Sequence, residues 1–147
     1  MNYFFYNMIT FQTDDIEMPK LNQQQITEWV KQVALSYQKR VGNIAYFFCS
    51  DKRILEVNRE YLQHDYYTDI ITFDYCVGNR LSGDLFISLD TVLSNAELFN
   101  QPYERELHRV IIHGVLHLCG INDKGPGERE IMEAAENKAL ALLDEMD

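Results

Sequence analysis

Two histidines four residues apart, His113 and His117, are followed by Gly120 and then Asp123. No other feature restricts the fold so much. On a helix, two side chains four apart lie roughly 40° apart around the axis, so both imidazoles leave one face. That spacing suits a cation chelated from a single helix. Gly120 permits a sharp turn after the helix, and Asp123 can then swing back as a third ligand. Three protein ligands with a fourth position open is the arrangement of a catalytic zinc, whereas a closed set of four would be structural. The pattern therefore needs a helix stopped at Gly120 and a chain that turns back beside it, leaving one position open to solvent.

The flanking sequence reads as alternating elements. Met1 to Phe11 is greasy and is read as an edge or second strand. Asn22 is a candidate N-cap for a helix carrying Ile26, Trp29, Val30, Val33 and Tyr37 at helical spacing, ending by Gly42. Ile44 to Cys49 is a β-branched and aromatic run expected to be a buried strand. Asp51 to about Gln63 suits a short helix with Ile54, Leu55, Asn58, Tyr61 and Leu62 on one side. Asp69 to Val77 and Asp84 to Leu89 read as strands of a hairpin, separated by a longish loop from Gly78 to Gly83. Thr91 to Phe99 is a short helix. Pro102 opens a longer one that runs to Cys119 and stops at Gly120. Gly125-Pro126-Gly127 forces a turn, and a last helix from near Glu128 points Ile131, Ala135, Leu142 and Leu143 inward. The order β-α-β-α-β-β-α-α-α predicts an α+β fold: a small mixed sheet covered by about five helices.

At 147 residues the chain is expected to be one domain spanning residues 1–147. That length should bury roughly 70% of the unfolded surface, so neither disulfides nor a structural metal are needed for folding. No run reaches the ~18 apolar residues of a membrane span, and the start lacks the basic region of a secretory signal. Cys49, Cys76 and Cys119 fit neither a disulfide framework nor a C-x-x-C knuckle, which predicts reduced thiols in a cytoplasmic setting. The net charge of −10 weighs against general nucleic-acid binding, since affinity for phosphates comes from Lys and Arg. Half of that excess lies beyond residue 124, where seven acids meet only Arg129 and Lys138. The remainder is mildly acidic and leaves room for a basic strip.

The histidine segment approaches the metzincin protease pattern H-E-x-x-H-x-x-G-x-x-H, but Gly114 stands where those enzymes carry their general base. Peptide hydrolysis by that route is disfavoured. The segment His113-Gly114-Val115-Leu116-His117-Leu118-Cys119-Gly120 instead resembles the signature H-G-x-L-H-L-x-G-x-D-H of the YbeY-type endoribonucleases. Asn58, Tyr61, Asp65, Thr68 and Phe73 fall on a second stretch of that family, and Ser82 to Ile87 is similar to its G-D-I-x-I strand. The similarity runs from about Val57 to Glu136.

The resemblance implies a zincin-like fold, a zinc-dependent cut in single-stranded RNA, and work in 16S rRNA 3′-end maturation and ribosome quality control. Single-stranded rRNA and the small ribosomal subunit are the implied partners, and the acidity of the chain suits docking on basic ribosomal proteins. The metal ligands and catalytic residues it implies are His113, His117 and Asp123. The third family histidine is replaced by Asp123, Asn122 takes the usual Asp place, and the family Arg and Pro align with Leu62 and Tyr67. Arg59, Arg80 or Lys124 are candidates to replace that Arg. One carboxylate in the ligand set makes a zinc centre less positive, which predicts a higher pH optimum and tolerance of manganese or iron. The same donors occur in two-histidine-one-carboxylate iron oxygenases, but nothing in the sequence suggests a co-substrate site. A ribosome-assembly factor with a structural metal and a metal-dependent amidase or peptidase are the alternative readings. His64 and His108 are read as surface residues. Glu106 is either an outer support for a ligand or a solvated side chain, and Met132 is either a core residue or a floor beneath the metal.

Overall fold

The computed structural model describes residues 8–64 and 68–146. Asp65, Tyr67 and most of the expected first strand (residues 1–7) lie outside the described residues.

The remainder of that first strand is β1 (Ile9–Thr13), which pairs parallel with β2 (Arg40–Cys49) and forms one edge of the sheet. Between them runs α1 (Gln23–Ser36), whose Asn22 side chain accepts from the Gln25 N–H at 3.1 Å, the cap expected from sequence. The helix stops before Gly42. Gln38 takes a left-handed conformation (φ 59°), and from Arg40 the backbone satisfies its polar groups by pairing with neighbouring strands. β2 is therefore longer than the run from Ile44 to Cys49.

α2 (Asp51–Leu62) leads towards β3 (Ile70–Asp74), and β3 pairs antiparallel with β4 (Arg80–Ser88). The expected long loop is a two-residue turn: Val77 and Arg80 exchange backbone hydrogen bonds of 3.2 and 3.0 Å across Gly78-Asn79. Arg80 to Gly83 belongs to β4 because its partners on β2 extend that far. α3 (Leu89–Leu98), α4 (Tyr103–Leu118) and α5 (Glu128–Asp144) complete the order. The sheet order β1-β2-β4-β3 is mixed, as anticipated, with β3 on the second edge.

Alternation along the strands separates two apolar faces. Ile44, Tyr46, Phe48, Leu81, Leu85 and Ile87 face the large core shared with α1, α4 and α5. On the other face α2 lays Ile54 and Val57 over Cys49, Ile71, Phe73 and Phe86. Of the residues read as sharing one side of this helix, Ile54 and Asn58 are buried while Tyr61 and Leu62 are exposed, and Val57 is buried with the former. In α5 the buried stripe is Met132, Glu136, Ala139, Leu140 and Leu143, while Ile131 is 60% exposed. The polarity pattern misplaced Ile131 because a charged residue, Glu136, sits in the buried stripe and rotates its phase. Met132 is a core residue, 2% exposed.

Two buried hydrogen bonds tie the helices to this frame. Trp29 Nε1 donates to the Ala139 carbonyl at 2.7 Å, and Tyr46 donates to the Ile111 carbonyl at 3.1 Å. His108, read from sequence as a surface residue, is half-buried edge-on against Trp29. The three cysteines are free thiols, and burial pushes Cys49 up to about 12 and Cys119 up to about 11. Among the described residues no helix is long and apolar enough to cross a membrane.

Candidate metal centre

α4 ends as the sequence demands. Gly120 adopts φ 99°, which a side chain would oppose, and the chain closes with Ile121 N–H to Leu116 O (3.0 Å) and Gly120 N–H to His117 O (2.9 Å). This pair of bonds is the Schellman closure of a helix. It turns residues 121–123 back along the helix face and carries Asp123 to the two histidines.

The three residues picked out from the sequence do converge. Asp123 Oδ2 lies 3.3 Å from His113 Nε2 and 3.5 Å from His117 Nε2. One donor atom from each residue lies within 4.8 Å of the others, and the two rings stand nearly perpendicular with centroids 4.6 Å apart. Two imidazole nitrogens and a carboxylate oxygen so placed can hold a metal ion, and the donor set suits zinc and other borderline or harder divalent ions. Burial, reinforced by neighbouring His113, holds His117 below the ordinary imidazole range, against the pull of Asp123. The unprotonated ring is the form that can ligate.

Behind His113 lies a polar network that the sequence reading missed. Glu136, 4% exposed, places Oε2 2.6 Å from His113 Nδ1. Arg109 Nη1 reaches both oxygens of Glu136, at 3.2 and 3.3 Å. The same guanidinium makes a two-pronged pair with Glu106, through Nε at 2.9 Å and through Nη2. Glu106 is 2% exposed, so it is not a solvated side chain. It acts two residues further out than supposed, because Arg109 and Glu136 stand between it and the ligand. The available signal was Glu136 itself, a carboxylate at helical spacing within the stripe Met132, Ala139, Leu140.

The histidines open into a cleft of about 620 Å³ between α2, β3 and the loop after α4. Asn58 and Leu62 line it from α2, Asp69, Thr72 and Asp74 from the β3 edge, and Asn122, Lys124 and Glu128 from the far side. Of the three basic residues considered as replacements for the family Arg, Lys124 is the one that lines this cleft with Leu62; Arg59 and Arg80 are not among its walls. His64 is exposed at the rim. Burial pushes the Asp69 carboxyl above the usual carboxylate range, opposed by His113 and by Arg109, whose Nη2 is 3.8 Å away.

Gly114 has a steric explanation. A Cβ at this position would run into the Leu85 side chain and come within 2.8 Å of Ile70 Cδ1. The helix packs so closely on β3 and β4 that the glutamate zincin peptidases carry here would have to displace the Leu85 and Ile70 side chains.

Comparison with known proteins shows the family and the fold. The family model described as endoribonuclease YbeY matches residues 8–144. The protein named endoribonuclease YbeY from Phocaeicola vulgatus is 76% identical over 136 residues, covering 92% of this chain and 99% of the relative. That of Porphyromonas gingivalis strain W83 is 51% identical over 137 residues, covering 93% and 91%. A Thermotoga maritima protein solved in solution shares the fold with a TM-score of 0.65 at 24% identity, over 92% of this chain and 89% of that one. The chain belongs to the endoribonuclease YbeY family.

Proposed function

We propose that this chain is a metal-dependent endoribonuclease, a hydrolase of RNA phosphodiester bonds, with His113, His117 and Asp123 as its metal ligands. Family membership supports the endoribonuclease activity. The observation that carries the metal reading is the meeting of His113 Nε2, His117 Nε2 and an Asp123 oxygen at the floor of an open cleft.

Among the described residues the cleft walls carry Asp69, Asp74, Asp123 and Glu128 against one lysine, Lys124. Such a surface repels a polyanion unless positive charge is added. Held by His113, His117 and Asp123, a divalent ion would add that charge and would supply Lewis-acid chemistry towards water and a phosphoryl oxygen. His113 and His117 would contribute nitrogen donors, and Asp123 would add an oxygen donor that lies within 3.5 Å of both rings. Lys124 and Asn122 line the cleft where a phosphate and a sugar edge would enter, and its open side suits an unpaired strand. Gly114 offers no base, which counts against the amidase or peptidase alternative.

The finer reading is a one-domain cytoplasmic enzyme, loaded with one zinc ion (manganese or iron being admissible with an oxygen donor), that cuts single-stranded rRNA. Its place would be 16S rRNA 3′-end maturation and ribosome quality control on the small subunit, beside basic ribosomal proteins. The experiment compares metal content and cleavage of a single-stranded rRNA fragment and a generic peptide, for wild type and His117→Ala, with and without chelator. Chelator-sensitive RNA cleavage with metal lost in His117→Ala is expected. Peptide cleavage would favour the amidase reading. Inactivity together with melting on chelation would favour an assembly factor with a structural metal.

A further inference from the structure

We infer that Glu136 is a positioning residue for the metal centre: its carboxylate holds the Nδ1 side of His113, so that Nε2 is presented to the metal, and Arg109 holds Glu136. The inference rests on the metal reading above.

Glu136 sits where an apolar residue would serve packing better. Its neighbours along the inner stripe of α5 are Met132, Ala139, Leu140 and Leu143. A carboxylate 4% exposed is costly to desolvate unless paired, and a well-packed apolar replacement of such a pair is often neutral or stabilising. The fold nevertheless surrounds this group with partners that converge on one ring. Oε2 is 2.6 Å from His113 Nδ1 and 3.3 Å from Arg109 Nη1, while Oε1 is 3.2 Å from the same nitrogen. Arg109 is anchored in turn by Glu106, three residues earlier on α4. The carboxylate therefore has a fixed position and a fixed orientation.

The two nitrogens of His113 thus face different groups. Nδ1 faces Glu136, and Nε2 faces Asp123 at 3.3 Å. Which nitrogen of a neutral imidazole carries the proton is set by the hydrogen bond the other side makes. An acceptor-only carboxylate at Nδ1 demands N–H there and leaves the Nε2 lone pair free for a cation. Because Glu136 comes from α5 and His113 from α4, this contact also makes docking of α5 a condition for a well-formed ligand set. Removing such an outer partner typically lowers metal affinity by about 10- to 100-fold.

The test measures Zn²⁺ affinity by competition with a chromogenic chelator for wild type, Glu136→Gln and Glu136→Asp, with melts of the metal-free proteins. Long-range ¹H–¹⁵N spectra of the metal-free wild type read its imidazole tautomers above neutral pH. Glu136→Asp keeps a carboxylate in the buried stripe of α5 but withdraws it by one methylene from the 2.6 Å contact with His113. The expected result is Zn²⁺ binding weakened by about 10-fold or more in both variants, with His113 protonated on Nδ1 in the wild type. Wild-type affinity in folded Glu136→Asp would overturn the inference and leave Glu136 as a charge partner of Arg109. A wild-type His113 protonated on Nε2 would overturn it without any variant having to fold. Failure of the wild type to bind Zn²⁺ would instead overturn the metal centre itself.

Discussion

Tyr46 on β2 donates its buried hydroxyl to the main-chain carbonyl of Ile111 on α4, 3.1 Å away and two residues before His113. The bond fixes the height of the ligand helix on the sheet, because a strand residue and a helix carbonyl must stay in register. Tyr46→Phe removes the donor but not the ring, and the Ile111 carbonyl faces no new polar group. The expected cost is about 1 kcal/mol, seen as a lower urea midpoint with unchanged slope. A change in slope would mean that the substitution had altered the compactness of the native or unfolded state, and not only removed a hydrogen bond.

Position 114 tests whether close packing, rather than chemistry alone, excludes a side chain. In Gly114→Ala the new methyl presses on Leu85 and Ile70. Overpacking of about 1–3 kcal/mol is offset by about 1 kcal/mol of helix propensity, leaving a net loss of about 1 kcal/mol. Thermal melts check the sign. Gly114→Glu, the zincin-like substitution, should fail to give a native melt and gain no peptidase activity.

Acid stability should depend on His108. Burial lowers its pKa below the ordinary 6.5, and neighbouring Arg105 adds to this while Glu104 and Asp144 oppose it. The unfolded chain then binds the proton more readily than the folded one, so stability falls as pH drops through 6.5 towards the folded value. His108→Gln should therefore gain on wild type as pH is lowered from about 7.5 to about 5, with a constant difference above that window. Denaturant midpoints across the range provide the measurement. A gap that does not move with pH would show that His108 does not titrate this way.

Among the described residues Lys124 is the lysine that lines the cleft, which also carries Asp69, Asp74, Asp123 and Glu128. Lys124→Met should raise KM for a single-stranded RNA substrate more than it lowers kcat. Losing one phosphate contact should also make the fall of log affinity with log salt shallower by about 0.7. Steady-state rates at several salt concentrations separate this from a fold defect, which would lower kcat at every salt.

The residues from His113 to Asp123 disclosed their own geometry, because helical spacing and a left-handed glycine are local properties that a few consecutive residues impose. The same locality made the order of elements, the Asn22 cap and the stop at Gly120 readable without coordinates. Residues outside that segment were decided by tertiary contacts. Ranked by polarity, Glu136 looks like a surface residue and Ile131 like a core one, yet α5 turns Glu136 inward and leaves Ile131 60% exposed. The reason is a pair of partners more than twenty residues away, Arg109 and His113, which make a buried charge tolerable. Gly114 reads in the sequence as a missing catalytic base, and only the approach of Leu85 and Ile70 shows that a side chain there would press on the sheet. Periodicity records which residues share a face. What that face meets is settled when the helices dock.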